Sequence, residues 1–446
     1  MSNIEVDLKR LDIQDLSDWF RSGIKSETKW GIGTEHEQFL YNRKDFTRLG
    51  YDTQPGIRSV LEEMQKEGWK SVLEGGHLIA LSKNGATITL EPGGQFELSG
   101  ANLTTVHETY AETKQHLETL SALGDKLGFY NLPIGFDPFW KREDIPWMPK
   151  ERYEYMKAWM PKKGKLGLDM MTRTSSIQVN LDFSSEEGMV KKVQVAQAFQ
   201  PVVMALFANS PFTENHPNGY ISYRSHVWED TDNDRCGFLP FVFDKDFGFD
   251  RWTEYLLDIP MYFIFRNEEY HPTNGMTFRE YMEKRHPFEP TIEDWEVHVS
   301  TVFPDIRLKK YLELRGADAG DLGQITALAA FWVGLLYDQQ ALDKVHGMAL
   351  EMGVDMICGL RAQVPKMGLR AEYKSVLLLD VTRQLVQTSY EGLGRRAIKL
   401  EIESEQKYLK PLQEIVASGK TVAERYLEKF HNEWDGDLKQ IFSSQH

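Results

Sequence analysis

Cysteine is almost absent from this chain: two residues in 446, Cys236 and Cys358, neither in a CxxC pair. That excludes a disulfide framework, and a reducing compartment, read as the cytoplasm, is the expected setting. A basic excess is lacking too. With 52 Lys and Arg against 67 Asp and Glu, the formal net charge is −15. General nucleic-acid binding is therefore not expected, since there are no surplus cations to displace phosphate counterions. Anionic small substrates remain compatible with that charge, because a bound divalent cation reverses the field locally. Long apolar runs are missing as well. The most apolar stretch, ITALAAFWVGLLY at 325–337, is too short to span a bilayer comfortably and reads as a buried helix, so no membrane partner is expected. The first residues, MSNIEVDLKRLDIQDLSDWF, are charged and amphipathic, without the apolar centre of a signal peptide. No internal repeat, low-complexity segment or Pro/Gly/Ser-rich linker divides the chain.

What is present is enough apolar material for a substantial core, 41% hydrophobic and 12% aromatic. Residues 77–99, HLIALSKNGATITLEPGGQFELS, predict a three-stranded antiparallel meander, with turns at Asn84-Gly85 and Pro92-Gly93-Gly94. From about Thr104 to Leu127 apolar residues recur at helical spacing, at Val106, Tyr110, Leu117, Leu120, Leu123 and Leu127. Another helix is expected over 186–208, bent by Pro201. Further strands are expected at IQVNLDF (177–183) and RLKKYLELRG (307–316), and helix from about 370 to the end. Strands and helices do not alternate as βαβ units would, so the expected class is α+β with an antiparallel sheet.

The strands share one habit: an apolar face backed by a face of carboxylates, amides and arginine. The opening strand, WGIGTEHEQFL at 30–40, carries Glu35 and Glu37, which share a face about 7 Å apart. Two adjacent carboxylates repel unless a cation, a proton or solvent screens them. Glu91, Gln95 and Glu97 in the meander, Gln178 and Asn180, and Glu313 with Arg315 repeat the pattern. Gathered into one sheet, these residues would line a cup. Hard oxygen ligands in that number suit Mg²⁺ or Mn²⁺, ions that share their shell with substrate phosphates. The ordinary explanation of any one acidic strand face is a solvated surface, and the opening strand's other face is mixed, with Thr34, His36 and Gln38 beside Ile32 and Leu40.

Two motifs fail. GIGTEH lacks the third glycine of a dinucleotide fingerprint, and HEQFL has Leu40 where a zinc-protease helix needs its second histidine. Arg173, Arg224 and Arg235 are candidates to clamp a carboxylate or phosphate, with structural ion pairing as the alternative. MPKERYEYM at 148–156 reads equally as an aromatic packing turn or a pocket wall.

GTEHEQF, LEPGGQFELSG, REDIPWMPKERY, GLDMMTRTSSIQVNLDFSS, RSHVWEDTDNDR, FPDIRLKKYLELRGAD and FWVGLLYD, in that order, resemble the glutamate–cysteine ligases of plant and proteobacterial type. The resemblance runs from about residue 28 to about 340 and more loosely beyond. It implies a glutamine-synthetase-like fold, a curved antiparallel sheet forming an active-site cup surrounded by helices. It also implies a reaction: ATP phosphorylates the γ-carboxylate of glutamate, and the amine of cysteine attacks the acyl phosphate. By position it implies Glu35, Glu37, Glu91, Glu97 and Glu313 as ligands of Mg²⁺ (or Mn²⁺). Gln178 and Asn180 would line the nucleotide region, and Arg315 and Arg173 would attend phosphate charge. Arg224 would fix the glutamate α-carboxylate, with Arg235 a further substrate residue, and Tyr153 would wall the cysteine pocket.

A catalytic unit over 1–370 is expected, with a C-terminal helical segment, 371–446, packed on it. Partners would be the small molecules glutamate, cysteine and ATP, with the chain a monomer or weak homodimer. Plant members carry redox cysteines, one of them in a hairpin without a counterpart here between Arg285 and Trp295, so a disulfide switch is not expected. The nearest rival is a ligase joining glutamate to another amine. A hydrolase with paired acids would leave the arginines unexplained, and a binding protein would be expected to have lost metal glutamates.

Overall fold

The computed structural model describes residues 10–284 and 286–445; Arg285, at the start of the segment where plant members carry their cysteine hairpin, lies outside them. Nine strands form one sheet: β1 (Ile32–Asn42), β2 (Lys70–Glu74), β3 (His77–Lys83), β4 (Ala86–Leu90), β5 (Phe96–Ser99), β6 (Phe129–Leu132), β7 (Ser176–Leu181), β8 (Ile306–Leu308) and β9 (Leu312–Asp318). Their order is β8-β9-β7-β1-β5-β4-β3-β2, with β6 paired to the far end of β1. Every pairing is antiparallel.

The local chemistry explains the elements. Asn84 (φ 51°) and Gly85 (φ 87°) both take positive φ between β3 and β4, the backbone a tight hairpin needs. Helix α1 (Val106–Leu127) starts on a capping box, Thr105 with Glu108, and stops at Gly128 in the left-handed region. The helix expected over 186–208 is two helices, α2 (Glu186–Ala198) and α3 (Gln200–Leu206). Phe199 leaves helical geometry between them, and Pro201 sits in the first turn of α3, where its missing N–H costs nothing. The strand expected over 307–316 is the hairpin β8–β9, turning through Lys309, Lys310 and Tyr311. The apolar run at 325–337 forms α4 (Leu322–Leu336), followed by α5 (Gln339–Arg361) and α6 (Leu378–Leu400). Among the described residues no helix is long and apolar enough to cross a membrane.

Strand alternation divides the sheet's two sides. Ile32, Ile177, Val179, Leu181, Leu314 and Ala317 point to the reverse side and are buried in one cluster with Val203 of α3, Leu328 and Phe331 of α4, and Leu385 of α6. Each of these side chains larger than alanine contributes roughly 1.5–3 kcal/mol by leaving water. Thr34, His36 and Gln38 lie on that side too, all buried. The mixed character of the opening strand thus comes from polar residues in the interior rather than from exposure.

Candidate active site

A cavity of about 290 Å³ lies over the front of the sheet. Glu35 and Glu37 of β1, Glu91 before the β4–β5 turn, and Glu97 of β5 supply its acidic side. Lys150, Arg152, Arg224, Arg307 and Arg315 supply a cationic side. Strand register brings these groups together. Glu37 stands opposite Glu97 across β1 and β5, and Glu35 opposite Gln178 across β1 and β7. Asn180 of β7 stands opposite Glu313 of β9.

Neutral donors serve three of the carboxylates. Ser176 Oγ donates to Glu37 Oε1 (2.8 Å), Ser99 Oγ to Glu97 Oε1 (2.7 Å), and Asn180 Nδ2 to Glu35 Oε1 (2.9 Å). Burial, then the charge of Glu91, pushes the Glu37 carboxyl up to about 8. Burial and the charges of Glu91, Glu35 and Glu37 push Glu97 well above the usual carboxylate range. Glu35 is raised by burial and by Glu313. Like charges placed directly opposite each other on neighbouring strands destabilise a sheet.

Glu313 is the opposite case. Its carboxylate meets Arg307 Nε at 2.6 Å, Arg315 Nη1 at 2.9 Å and Lys309 Nζ at 3.2 Å. Burial pushes its carboxyl up, but the three cations outweigh that and hold it well below its ordinary value. Arg315 Nη1 also donates to Gln178 Oε1 (2.9 Å). Glu313 therefore organises the cationic side from beneath rather than facing the cavity.

Among the described residues no three His, Cys, Asp or Glu side chains converge closely enough to form a metal cage. The donors present are all carboxylate oxygens, set in pairs that resist ionising together. That fits a small hard cation held by one or two carboxylates and completed by a substrate's phosphate oxygens, the usual way Mg²⁺ is bound.

Arg224 Nη2 donates to the Arg315 carbonyl (3.0 Å), while its Nε is buried without a hydrogen-bond partner. Asp318 stands 3.9 Å from Arg224 Nη1, itself fixed by Asn209 N–H (2.9 Å), Ser210 Oγ (2.6 Å) and Ser222 Oγ (3.0 Å). Tyr153 lines the cavity and donates its hydroxyl to the Leu90 carbonyl, which Lys150 Nζ also reaches at 2.8 Å. Asn180 stands one step back, bonded to Glu35.

Two sequence candidates lie elsewhere. Arg173 pairs with Asp169 (3.1 Å) and covers the Phe136 ring at 4.6 Å. Arg235, fully buried, pairs with Asp232 (2.8 Å), donates to the Pro260 carbonyl (2.7 Å) and lies 4.0 Å from the Tyr262 ring centre. Neither lines the cavity; structural pairing accounts for all of Arg235, while Arg173 pairs through Nη1 and keeps a buried Nε without a hydrogen-bond partner. In their place are residues that the sequence alone did not single out. Lys150 and Arg152 stand inside MPKERYEYM, where aromatics draw attention; Arg307 and Lys309 face Glu313 only once the 307–316 segment is folded as a hairpin.

Both cysteines are free thiols, Cys358 exposed and Cys236 buried, the latter pushed up to about 12 chiefly by burial. A thiol so raised is a poor nucleophile.

The sequence profile of Glutamate-cysteine ligase family 2 (GCS2) matches residues 31–444. The chloroplastic glutamate–cysteine ligase of Medicago truncatula is 46% identical over 433 residues, 96% of this chain and 84% of that protein. The chloroplastic enzyme of Arabidopsis thaliana is 45% identical, covering 96% and 82%. Among solved structures, the glutamate–cysteine ligase of Francisella tularensis in complex with AMP superposes with a TM-score of 0.55 at 13% identity, covering 93% of this chain and 88% of that one. A bifunctional glutathione synthetase from Pasteurella multocida gives 0.53 at 12% identity, covering 96% of this chain and 53% of that one, so this chain spans about half its length. The two superpositions speak to fold alone, a mixed helix and antiparallel-sheet architecture. The cytoplasmic expectation is corrected by the relatives' names, since the Medicago and Arabidopsis proteins are both chloroplastic enzymes. With a profile match over nearly its whole length and relatives at 45–46% identity, the chain belongs to glutamate–cysteine ligase family 2.

Proposed function

We propose that this protein joins the γ-carboxylate of glutamate to the amine of cysteine at the expense of ATP, giving γ-glutamylcysteine, ADP and phosphate. The observation that carries the reading is the divided cavity, carboxylates on one side and cations on the other, on one sheet face. A carboxylate resists attack by an amine, so a γ-oxygen of glutamate must first take the terminal phosphoryl group of ATP, with ADP leaving. The cysteine nitrogen then forms the amide bond, phosphate departs, and a phosphate oxygen can accept the ammonium proton.

Arg307 and Arg315, held by Glu313, meet the charge spread over the phosphoryl oxygens. Arg224, whose Nε is buried and unfilled, binds the α-carboxylate of glutamate. Tyr153, with Lys150 beside it, walls the acceptor subsite, and Gln178 steers Arg315 toward the nucleotide. Glu35, Glu37, Glu91 and Glu97 would hold Mg²⁺ or Mn²⁺, one or two carboxylates to each ion, and such an ion would supply charge neutralisation and alignment of the phosphates.

The test is ADP release by the purified protein with glutamate and Mg²⁺, with and without cysteine, and product mass. Cysteine-dependent release with γ-glutamylcysteine formed is the expected result. Release stimulated only by another amine would transfer the acceptor assignment to that amine. No ATP turnover with any acceptor would overturn the reading.

A further inference from the structure

On the reverse side of the sheet, away from the carboxylates, a second cavity of about 340 Å³ opens to the surface between the β3–β4 hairpin and helix α1. Its floor is Met64, Leu98 and the imidazole of His116, all buried. Both ring nitrogens of His116, which is 5% exposed, have no hydrogen-bond partner. The ring packs edge-on to His36 (5.3 Å between centres) and parallel to Phe96 (6.3 Å), contacts that satisfy neither nitrogen. Leaving a buried donor or acceptor unpaired costs about 1–3 kcal/mol, so the site is built to receive a polar group.

The rim supplies the rest of a recognition pattern. Lys83 Nζ lies 5.9 Å from the centre of the Trp69 ring and donates to the Glu67 carbonyl at 2.6 Å, an interaction that leaves its charge unneutralised. Glu112 accepts from the Ala101 N–H through Oε1 (3.0 Å), while its buried Oε2 has no partner. Within one cavity there are thus a cation (Lys83), two carboxylate residues (Glu67 at the exposed rim and Glu112), an indole face and an unsatisfied imidazole.

We propose that this cavity binds an aromatic α-amino acid whose ring carries a hydrogen-bonding group. The carboxylate pairs with Lys83, the ammonium with Glu112, the ring lies against Trp69, and its N–H or O–H reaches His116. Burial drives the His116 imidazole down to about 4, so the ring is neutral and keeps one accepting nitrogen for that bond. The site is separate from the proposed catalytic cavity and does not depend on that assignment.

Isothermal titration of the full chain with L-tryptophan tests it. One site per chain is expected, weakened on the order of tenfold or more in Lys83→Met and in Glu112→Gln, the effect of losing one charged partner. His116→Phe should weaken L-tryptophan more than L-phenylalanine, and Arg224→Met should leave binding intact. Thermal melts identify any variant that fails to fold, and the remaining variants carry the comparison. No binding of L-tryptophan overturns the proposal. So does equal affinity in all three cavity variants, and so does loss of binding in Arg224→Met, which would place the ligand in the catalytic cavity.

Discussion

Glu37 and Glu97 face each other across adjacent strands, and burial raises both carboxyls, Glu37 to about 8, so at neutral pH folding makes Glu37 take up a proton at the expense of stability. Replacing Glu37 with Gln removes a buried carboxyl that the fold must keep protonated. In metal-free buffer Glu37→Gln should raise Tm by about 1–2 °C, the equivalent of roughly 1 kcal/mol in a chain this long. The same variant should lose at least about 100-fold in ADP release, which steady-state assay reads directly. A second residue-scale prediction concerns His298, buried, with Nε2 donating to the Leu256 carbonyl (2.8 Å). Burial lowers its folded value from 6.5 to about 4. A base kept neutral by the fold takes up protons more readily when unfolded. Its contribution is therefore complete above pH 6.5 and is lost as pH falls toward 4, by about 3 kcal/mol in all. Denaturation midpoints from pH 7 to pH 4 should fall less steeply in His298→Gln than in the parent. At this scale the sequence showed the acids plainly, because period-two spacing alone aligns Glu35 with Glu37. It could not show Lys150 or Arg307, whose place in the cavity depends on contacts between segments far apart in the chain.

Helices and strands were legible where local chemistry decides them. The meander over 77–99 and helix α1 carry their own turn and capping signals, and both form as expected. The β8–β9 hairpin was missed because Lys309-Lys310-Tyr311 is not a turn signature; the pairing of Arg307 with Glu313 supplies what the turn residues do not. Close helix contact is another feature that sequence conceals. A Cβ on Gly392 of α6 would stand 2.0 Å from the Gly334 carbonyl oxygen of α4, and one on Gly334 would stand 2.3 Å from the Ser389 carbonyl oxygen. The obstacles are backbone atoms, which cannot swing aside. Gly347 of α5 has nothing within 4 Å of that position and is exposed. Gly392→Ala should therefore cost about 1–3 kcal/mol by overpacking, whereas Gly347→Ala should gain about 0.5–1 kcal/mol by removing unfolded-state freedom. Urea denaturation of the two variants checks both signs, and equal shifts would contradict the packing argument.

Across the whole molecule, the segment after residue 370 is tied into the core that supports the sheet. Leu378, Leu385 and Leu393 of α6 are buried in one cluster with Ile177 and Leu314 of the strands. Polar groups add to the tie. Glu405, fully buried, pairs with Arg396 and accepts the Val106 N–H (2.6 Å) at the start of α1, while Arg396 Nη2 donates to the Thr104 carbonyl (2.8 Å). A carboxylate from the last fifth of the chain thereby satisfies the buried amide end of a helix some 300 residues earlier. Removing one partner of such a buried pair leaves an uncompensated charge, so Glu405→Gln should lower stability by about 3 kcal/mol. A chain ending at residue 370 would bare the reverse side of the sheet as well, and it should be insoluble or fail to unfold cooperatively. In calorimetry the full chain should show one main transition, displaced downward in Glu405→Gln with its shape unchanged. Two separate transitions, or a soluble and cooperative 1–370 fragment, would mean that the C-terminal helices are an appendage and that the sheet carrying the acids stands without them.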